Sequence, residues 1–216
     1  MLTRTANRNQ NGQAMGPKGR QTRRRLIDAT VSLLAATRLR DLRVGDIARE
    51  AGTSPATFYV YFPDVADAVL AALEEVTQSG EDIVALVDAD WGQGDPVARA
   101  SDIVRRYLEH WATHNALFRV RNLAADEGDM RFLTARADAT MELLTSISDA
   151  VRRARDAGWV AAEIEPSATA GVLMATLERL AAVQFYYDSM AGQREQMIVS
   201  AGHMLAQMMG PPRIVA

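Results

Sequence analysis

The densest set of chemistry-bearing side chains lies in VGDIAREAGTSPATFYVYF (residues 44–62), where Thr53, Ser54, Thr57, Tyr59 and Tyr61 supply hydroxyls and phenols with no acid among 53–61. Hydroxyls bond base edges or phosphate oxygens, an Ala56 or Thr57 methyl meets a thymine methyl, and a phenol reaches a phosphate while its ring stays packed. The implied chemistry is recognition of duplex DNA. Other sets are weaker. His110 and His114 in HWATH are four apart, a metal-holding spacing on a helix, but Trp111 stands where the zinc-protease pattern needs a glutamate. His203 is remote, the chain has no cysteine, and GQGDP (92–96) lacks the lysine of a phosphate-binding loop. The carboxylates of EE (74–75) and DE (126–127) fall on polar faces or loops, where solvation is the default. No catalytic set stands out, and no metal or cofactor is expected.

Presenting those hydroxyls requires a short helix held off the body of the protein. Ile47 and Ala48 face inward from one short helix, Gly52 falls where the chain must turn sharply, and Phe58 and Phe62 anchor a second. Glycine reaches positive φ without steric cost, and a small residue such as Ala48 lets two short helices cross closely. The pattern predicts a helix-turn-helix whose second helix, carrying Thr53, Ser54, Pro55, Ala56, Thr57, Tyr59 and Tyr61 outward, enters a major groove. A plain helical hairpin inside a bundle has the same apolar pattern, and the outward residues are what separate the two.

Charge supports the DNA reading. Residues 1–60 hold eleven Lys/Arg and four Asp/Glu, a local net of +7, while the remainder holds thirteen and twenty-three, a net of −10, within an overall −3. A basic end on an acidic body suits a polyanion at one end only. Residues 1–18, rich in Asn, Gln, Gly and Arg, read as a disordered basic arm that either contacts phosphates or merely solubilises.

From residue 19 onward the apolar spacing is helical. Leu26, Thr30 and Leu33 beside Ile27, Val31 and Leu34 mark a first helix, with short ones at 44–51 and 54–61 and a longer one opened by Asp64 after Pro63. Beyond the break at 92–96 come helices at about 96–114, 117–125 and 129–157, another from Pro166 to about Met190, and a last one after Gly192 ending at GPP (210–212). This makes an all-α chain of about nine helices, with no convincing strand and no repeat. No run of about eighteen apolar residues spans a bilayer, and no apolar core of a secretory signal follows the first residues, so a soluble, cytoplasmic protein is expected.

DIAREAGTSPATFYVYFPD (residues 46–64) resembles the DNA-binding signature of the TetR family of bacterial transcriptional regulators, through Ile47, Ala48, Gly52, Ser54, Thr57, Phe58, Tyr59 and Phe62. The resemblance implies a three-helix DNA-binding domain over 19–63 and a larger helical ligand-binding and dimerisation domain over 64–216. Two departures stand out. Val65 and Ala66 occupy the place where family members often carry a phosphate-binding lysine, and Arg43 occupies an N-cap position where Ser or Thr is common. Arg43 cannot cap but can reach a phosphate, as can the arginines at 20 and 23–25, of which Arg23 is taken into the DNA-binding set.

The family also implies a homodimer on a palindromic operator and a small-molecule effector that shifts the population away from the DNA-binding state. Leu173, Met174, Leu177, Leu180 and Ala181 form one apolar stripe, and Met197, Ile198, Ala201, Gly202, Leu205 and Met208 another; they suit a two-fold interface or, alternatively, the monomer's own core. Tyr107, Trp111, Phe118, Phe132, Met141, Leu144, Met174, Leu177 and Phe185 are candidate linings of an apolar effector pocket, with Asn122 and Gln184 as polar groups to orient a ligand. Two other classes stay open: a helical DNA-binding protein without ligand response, and a small-molecule carrier or enzyme built on the helical body.

Overall fold

The computed structural model describes residues 10, 12–77, 81–188 and 192–212. Residues 1–9 and 11 of the arm expected over 1–18, and the helix end expected at about Met190, lie outside the described residues. Among those described, the chain forms ten α-helices and no strand: α1 (Pro17–Leu34), α2 (Val44–Glu50), α3 (Pro55–Tyr61), α4 (Val65–Thr77), α5 (Glu81–Asp88), α6 (Pro96–Thr113), α7 (Asn115–Asp126), α8 (Met130–Asp156), α9 (Pro166–Asp188) and α10 (Gln193–Met209), with one 3₁₀ turn at Leu39–Asp41. The all-α class is as expected, but the helix count is one higher. The helix expected to open at Asp64 is α4, and α5 is a further helix; residues 78–80 between them lie outside the described residues. Pro17 and Lys18, assigned to the arm from sequence, open α1, because proline fits the first helical position, where its missing N–H costs nothing.

The chain divides into two compact units, one of residues up to 79 with 114–139, the other of 80–113 with 140–216. In the first, α1 packs along α4 and against α2, and α7 packs on α1 and α4. Leu26, Ile27, Ile47, Phe58 and Phe132 are fully buried there. Thr30, also buried, satisfies its hydroxyl by donating to the Leu26 carbonyl at 2.8 Å, so a polar residue sits in this core without an unpaired group.

In the second unit, α6 packs most extensively on α10 and also on α9 and α5. The α6–α10 contact is close because Gly202 faces Ser101: a β-carbon at 202 would lie 2.3 Å from Ser101 Oγ and 3.0 Å from both its Cα and its backbone nitrogen. The two apolar stripes largely turn inward. Leu173, Met174, Leu177 and Ala181 of α9, and Ile198, Ala201, Gly202 and Leu205 of α10, are buried within the single chain, where intrachain packing uses the small residues. Apolar residues left exposed on these helices include Val172, Val199 and Met204.

Replacing Gly202 with alanine is expected to destabilise the protein by about 1–3 kcal/mol, the usual cost of overpacking a tight core. Chemical denaturation followed by helical circular dichroism measures this. Adding Ser101→Ala removes only the hydroxyl clash and leaves the backbone contacts at 3.0 Å, so rescue by the double variant should be partial.

Candidate nucleic-acid interface

The interface is built from the chain reversal between α2 and α3. Gly52 has φ of 63°, the left-handed conformation that glycine adopts without strain. Its N–H donates to the Arg49 carbonyl at 3.1 Å, and the Thr53 N–H reaches back to the Ala48 carbonyl at 2.8 Å. These paired bonds form a Schellman ending, which satisfies the last carbonyls of α2 and redirects the chain. Ser54 then caps α3: its Oγ accepts from the Thr57 N–H at 3.2 Å and lies 3.0 Å from Thr57 Oγ1, while Pro55 takes the first helical position.

The underside of α3 is aromatic. Phe58 is fully buried, its ring meets Phe62 with centroids 5.5 Å apart, and Phe62 is also buried. Ile47 and Ala48 of α2 have no exposed surface. This anchoring leaves Ser54, Pro55, Ala56 and Tyr59 exposed and Thr53, Thr57 and Tyr61 half-buried. Tyr59 retains 54% of its surface, with its ring edge-on to Phe58 at 5.8 Å. The hydroxyl and phenol face is therefore on the outside of the helix pair.

The basic residues divide. Arg43 is exposed at the N-cap of α2; its carbonyl accepts from the N–H groups of Asp46 and Ile47, and its side chain makes no capping bond. Arg23, taken from sequence as a DNA contact, is placed differently: only 12% of its side chain is exposed, its guanidinium lies over the Phe62 ring at 5.3 Å, and Glu75 is 4.0 Å away. Burial lowers its pKa, opposed by the carboxylates of Glu75 and Glu74, although an arginine in this setting keeps its charge. The reason is the packing of α1 on α4, which brings Glu75 and the aromatic anchor under α1. Arg24 is likewise engaged, with Glu75 and, at 2.9 Å, with Asp28. Lys18, Arg20 and Arg25 are exposed.

A charged junction missed in the sequence follows the recognition helix. Asp64 accepts from the Asp67 N–H at 2.8 Å at the start of α4, and Asp129 accepts from the Arg131 N–H at 2.9 Å at the start of α8. Arg131 joins these helix starts by donating to Asp64 at 3.0 Å, Asp67 at 3.4 Å and Asp129 at 3.0 Å. The Arg131 side chain is the leading cause holding the Asp129 carboxyl below its ordinary value. Asp64 also falls below its ordinary value: desolvation acts against this, but the Asp67 N–H and the Arg131 guanidinium outweigh it. Asp67 is raised, by desolvation and by the neighbouring Asp64 charge. Only the Asp64 cap was legible in advance, because Arg131 lies 67 positions away.

The proposed effector-lining residues do not all belong to one unit. Tyr107, Trp111, Met174 and Leu177 are buried and Leu144 half-buried in the second unit, whereas Phe118, Asn122 and Phe132 belong to the first. Met141 and Phe185 are exposed, and the Phe185 ring stacks on Tyr186 at 4.1 Å. Asn122 accepts from Arg121 Nε at 2.9 Å, and the Arg121 guanidinium covers Phe118. Gln184 is buried and donates to the Leu108 and Ala181 carbonyls. The histidine pair does not sit on one helix, since α6 ends at Thr113 and His114 is the N-cap residue of α7. Among the described residues no single helix is long and apolar enough to cross a membrane.

A glycine-turned helix pair with an aromatic underside and an exposed hydroxyl face defines a protein of the helix-turn-helix class. Residues 26–72 match the family model of bacterial regulatory proteins of the tetR family, and residues 81–205 match that of the tetracyclin repressor-like C-terminal domain. The chain belongs to the TetR family of bacterial transcriptional regulators. It is similar to the HTH-type transcriptional regulator BetI of Cronobacter sakazakii, with 32% identity over 94 residues; that stretch covers 44% of this chain and 46% of that relative, less than half its length. The fold is shared with the transcriptional regulator FadR of Bacillus subtilis in complex with stearoyl-CoA, at a TM-score of 0.67 and 15% identity over 85% of this chain and 97% of the other. It is also shared with a transcriptional regulator of Saccharomonospora viridis in complex with choline, at a TM-score of 0.62 and 20% identity over 85% and 94% of the two chains.

The Arg131 junction has a defined pH signature. Because Asp64 and Asp129 titrate below their unfolded values, their stabilisation is present above about pH 4 and lost as pH falls through the depressed values; Asp67 acts in the opposite sense. Arg131→Gln should therefore lower the denaturation midpoint at pH 7, with each exposed pair contributing roughly 0.2–1 kcal/mol. The gap from the parent protein should narrow below about pH 4. Urea titrations at both pH values measure it.

Proposed function

We propose that the protein is a ligand-responsive repressor that binds a palindromic duplex operator as a homodimer and is released by a small, largely apolar effector. The observation that carries this reading is the exposed, acid-free face of α3, with Ser54, Pro55, Ala56 and Tyr59 outward over a buried Phe58. In this reading residues 19–63 engage DNA and 64–216 carry sensing and dimerisation. Tyr59 and Arg43 reach phosphates, while Thr53, Ser54, Ala56, Thr57 and Tyr61 meet base edges or the backbone beside them.

Dimerisation is assigned to the outer faces of α9 and α10. Their inward stripes are spent on the chain's own core, and the apolar surface left outward includes Val172, with 66% of its area exposed, Phe185, Tyr186, Val199 and Met204. Exposed apolar residues on two terminal helices suit an isologous two-fold contact. Two recognition helices related by that axis meet successive major-groove faces about 34–36 Å apart. Effector sensing is supported by the stearoyl-CoA and choline held by the two structural relatives. The buried Tyr107, Trp111, Met174 and Leu177 supply the matching apolar chemistry.

Selection from a random duplex pool, followed by anisotropy titration against salt, tests the reading. An inverted repeat should be enriched; a single unrepeated half-site, or no enrichment, would refute it. Thr57→Ala should weaken binding to the selected duplex by roughly 1–3 kcal/mol if Thr57 reads a base. Arg43→Ala should weaken binding to all duplexes alike and reduce the log–log salt slope by about one. Val172→Arg combined with Met204→Glu should yield a helical monomer in sedimentation experiments and abolish tight operator binding.

A further inference from the structure

The α3 helix has seven residues and ends at Tyr61, beyond which Phe62 is extended. A helix leaves its last carbonyls without intrahelical donors, and a glycine in the left-handed conformation commonly closes such an end. Here Phe62 and Pro63 follow instead. The Phe62 N–H returns to the Phe58 carbonyl at 3.0 Å, which leaves the Val60 and Tyr61 carbonyls for other partners.

Those partners come from the segment preceding α1. The Gln10 backbone N–H donates to the Val60 carbonyl at 3.0 Å, and its side-chain Nε2 donates to the Tyr61 carbonyl at 3.1 Å. One residue thus supplies two donors to adjacent terminal carbonyls of α3, from 51 positions away. The segment between Gln10 and α1 is itself attached: Met15 is buried, and its carbonyl accepts from Arg20 at 2.7 Å. Gly19 lies beside both, since a β-carbon there would be at ordinary contact distance, 3.4 Å from Met15 Cβ and 3.7 Å from the Tyr61 hydroxyl. The start of α1, Met15 and the last residue of α3 therefore meet at one place.

We infer that Gln10 is a positioning residue for DNA reading: it closes the C-terminal end of the recognition helix from outside and fixes the angle at which α3 presents Thr57, Tyr59 and Tyr61. The inference rests on the DNA-binding function proposed above. Ser54 and Gly52 set the N-terminal end of α3, and Gln10 sets the other. Gln10 carries no charge, so its contribution is to the geometry of base contacts and not to phosphate neutralisation.

The test uses the full chain with Gln10→Pro, which removes both donors, and Gln10→Ala, which removes the side-chain donor and keeps the backbone one. In the DNA-free parent protein the Gln10 amide should exchange with deuterium more slowly than in an unstructured peptide, and the Phe62 amide should exchange faster in Gln10→Pro while Ala51 is unchanged. With the duplex selected from the random pool, Gln10→Pro should bind roughly threefold to tenfold more weakly and Gln10→Ala should show a smaller loss, the scale of one or two net hydrogen bonds. Binding to a random-sequence duplex and the salt slope should both stay as in the parent. An unprotected Gln10 amide, an unaltered affinity, or an equal loss on both duplexes overturns the inference. If the parent protein prefers no duplex at all, the proposed function fails, and the exchange rates alone decide whether Gln10 closes α3.

Discussion

The burial of Phe58 is the constraint on which the rest depends. A helix as short as α3 does not persist in water on its own, because nucleation costs more than so few backbone bonds return. Its stability must come from its underside, where Phe58 and Phe62 enter the core beside α2 and α1. Burying one such ring contributes about 1.5–3 kcal/mol, enough to outweigh the helix's own weakness. Once Phe58 points inward, the helical angle places Tyr59 and Ala56 on the open side. The outward chemistry is thus a geometric consequence of the inward contact.

Electrostatics at the basic end is sorted by the same packing. Arg23 and Arg24 look alike in the sequence, as members of a run of arginines, yet α4 presents Glu75 to both, and Phe62 takes the guanidinium of Arg23 on its face. Part of the positive charge therefore secures α1 to α4 and the aromatic anchor. Lys18, Arg20, Arg25 and Arg43 are among the basic residues left outward. The excess of arginine in the first sixty residues serves architecture as well as any polyanion.

What was legible in the sequence was local, and what was not depended on distant partners. Gly52, the Ser54 cap and the inward Ile47, Ala48, Phe58 and Phe62 are readable because their causes lie within a few positions: a positive φ, a side-chain acceptor, a helical period. The engagement of Arg23, the bridging role of Arg131 and the donors of Gln10 each need a partner brought close only by folding. The stripes of α9 and α10 were visible as apolar periodicity, but periodicity does not say whether the covering surface comes from the same chain. Gly202 against Ser101 answers this for part of α10. The effector-lining set is divided between the two units for a similar reason: aromatic and methionine residues mark cores in general, and both units have one.

The contact between Gly202 and Ser101 also has a mechanical meaning. Where two helices touch at the backbone, neither can slide or roll without forcing side chains over one another, since packed interiors switch between discrete arrangements and do not deform smoothly. The α6–α10 pair is therefore a stiff strut. Any ligand accommodated in the second unit must find its room where α6 faces other neighbours, and a displacement of α6 carries α10 with it as a rigid body.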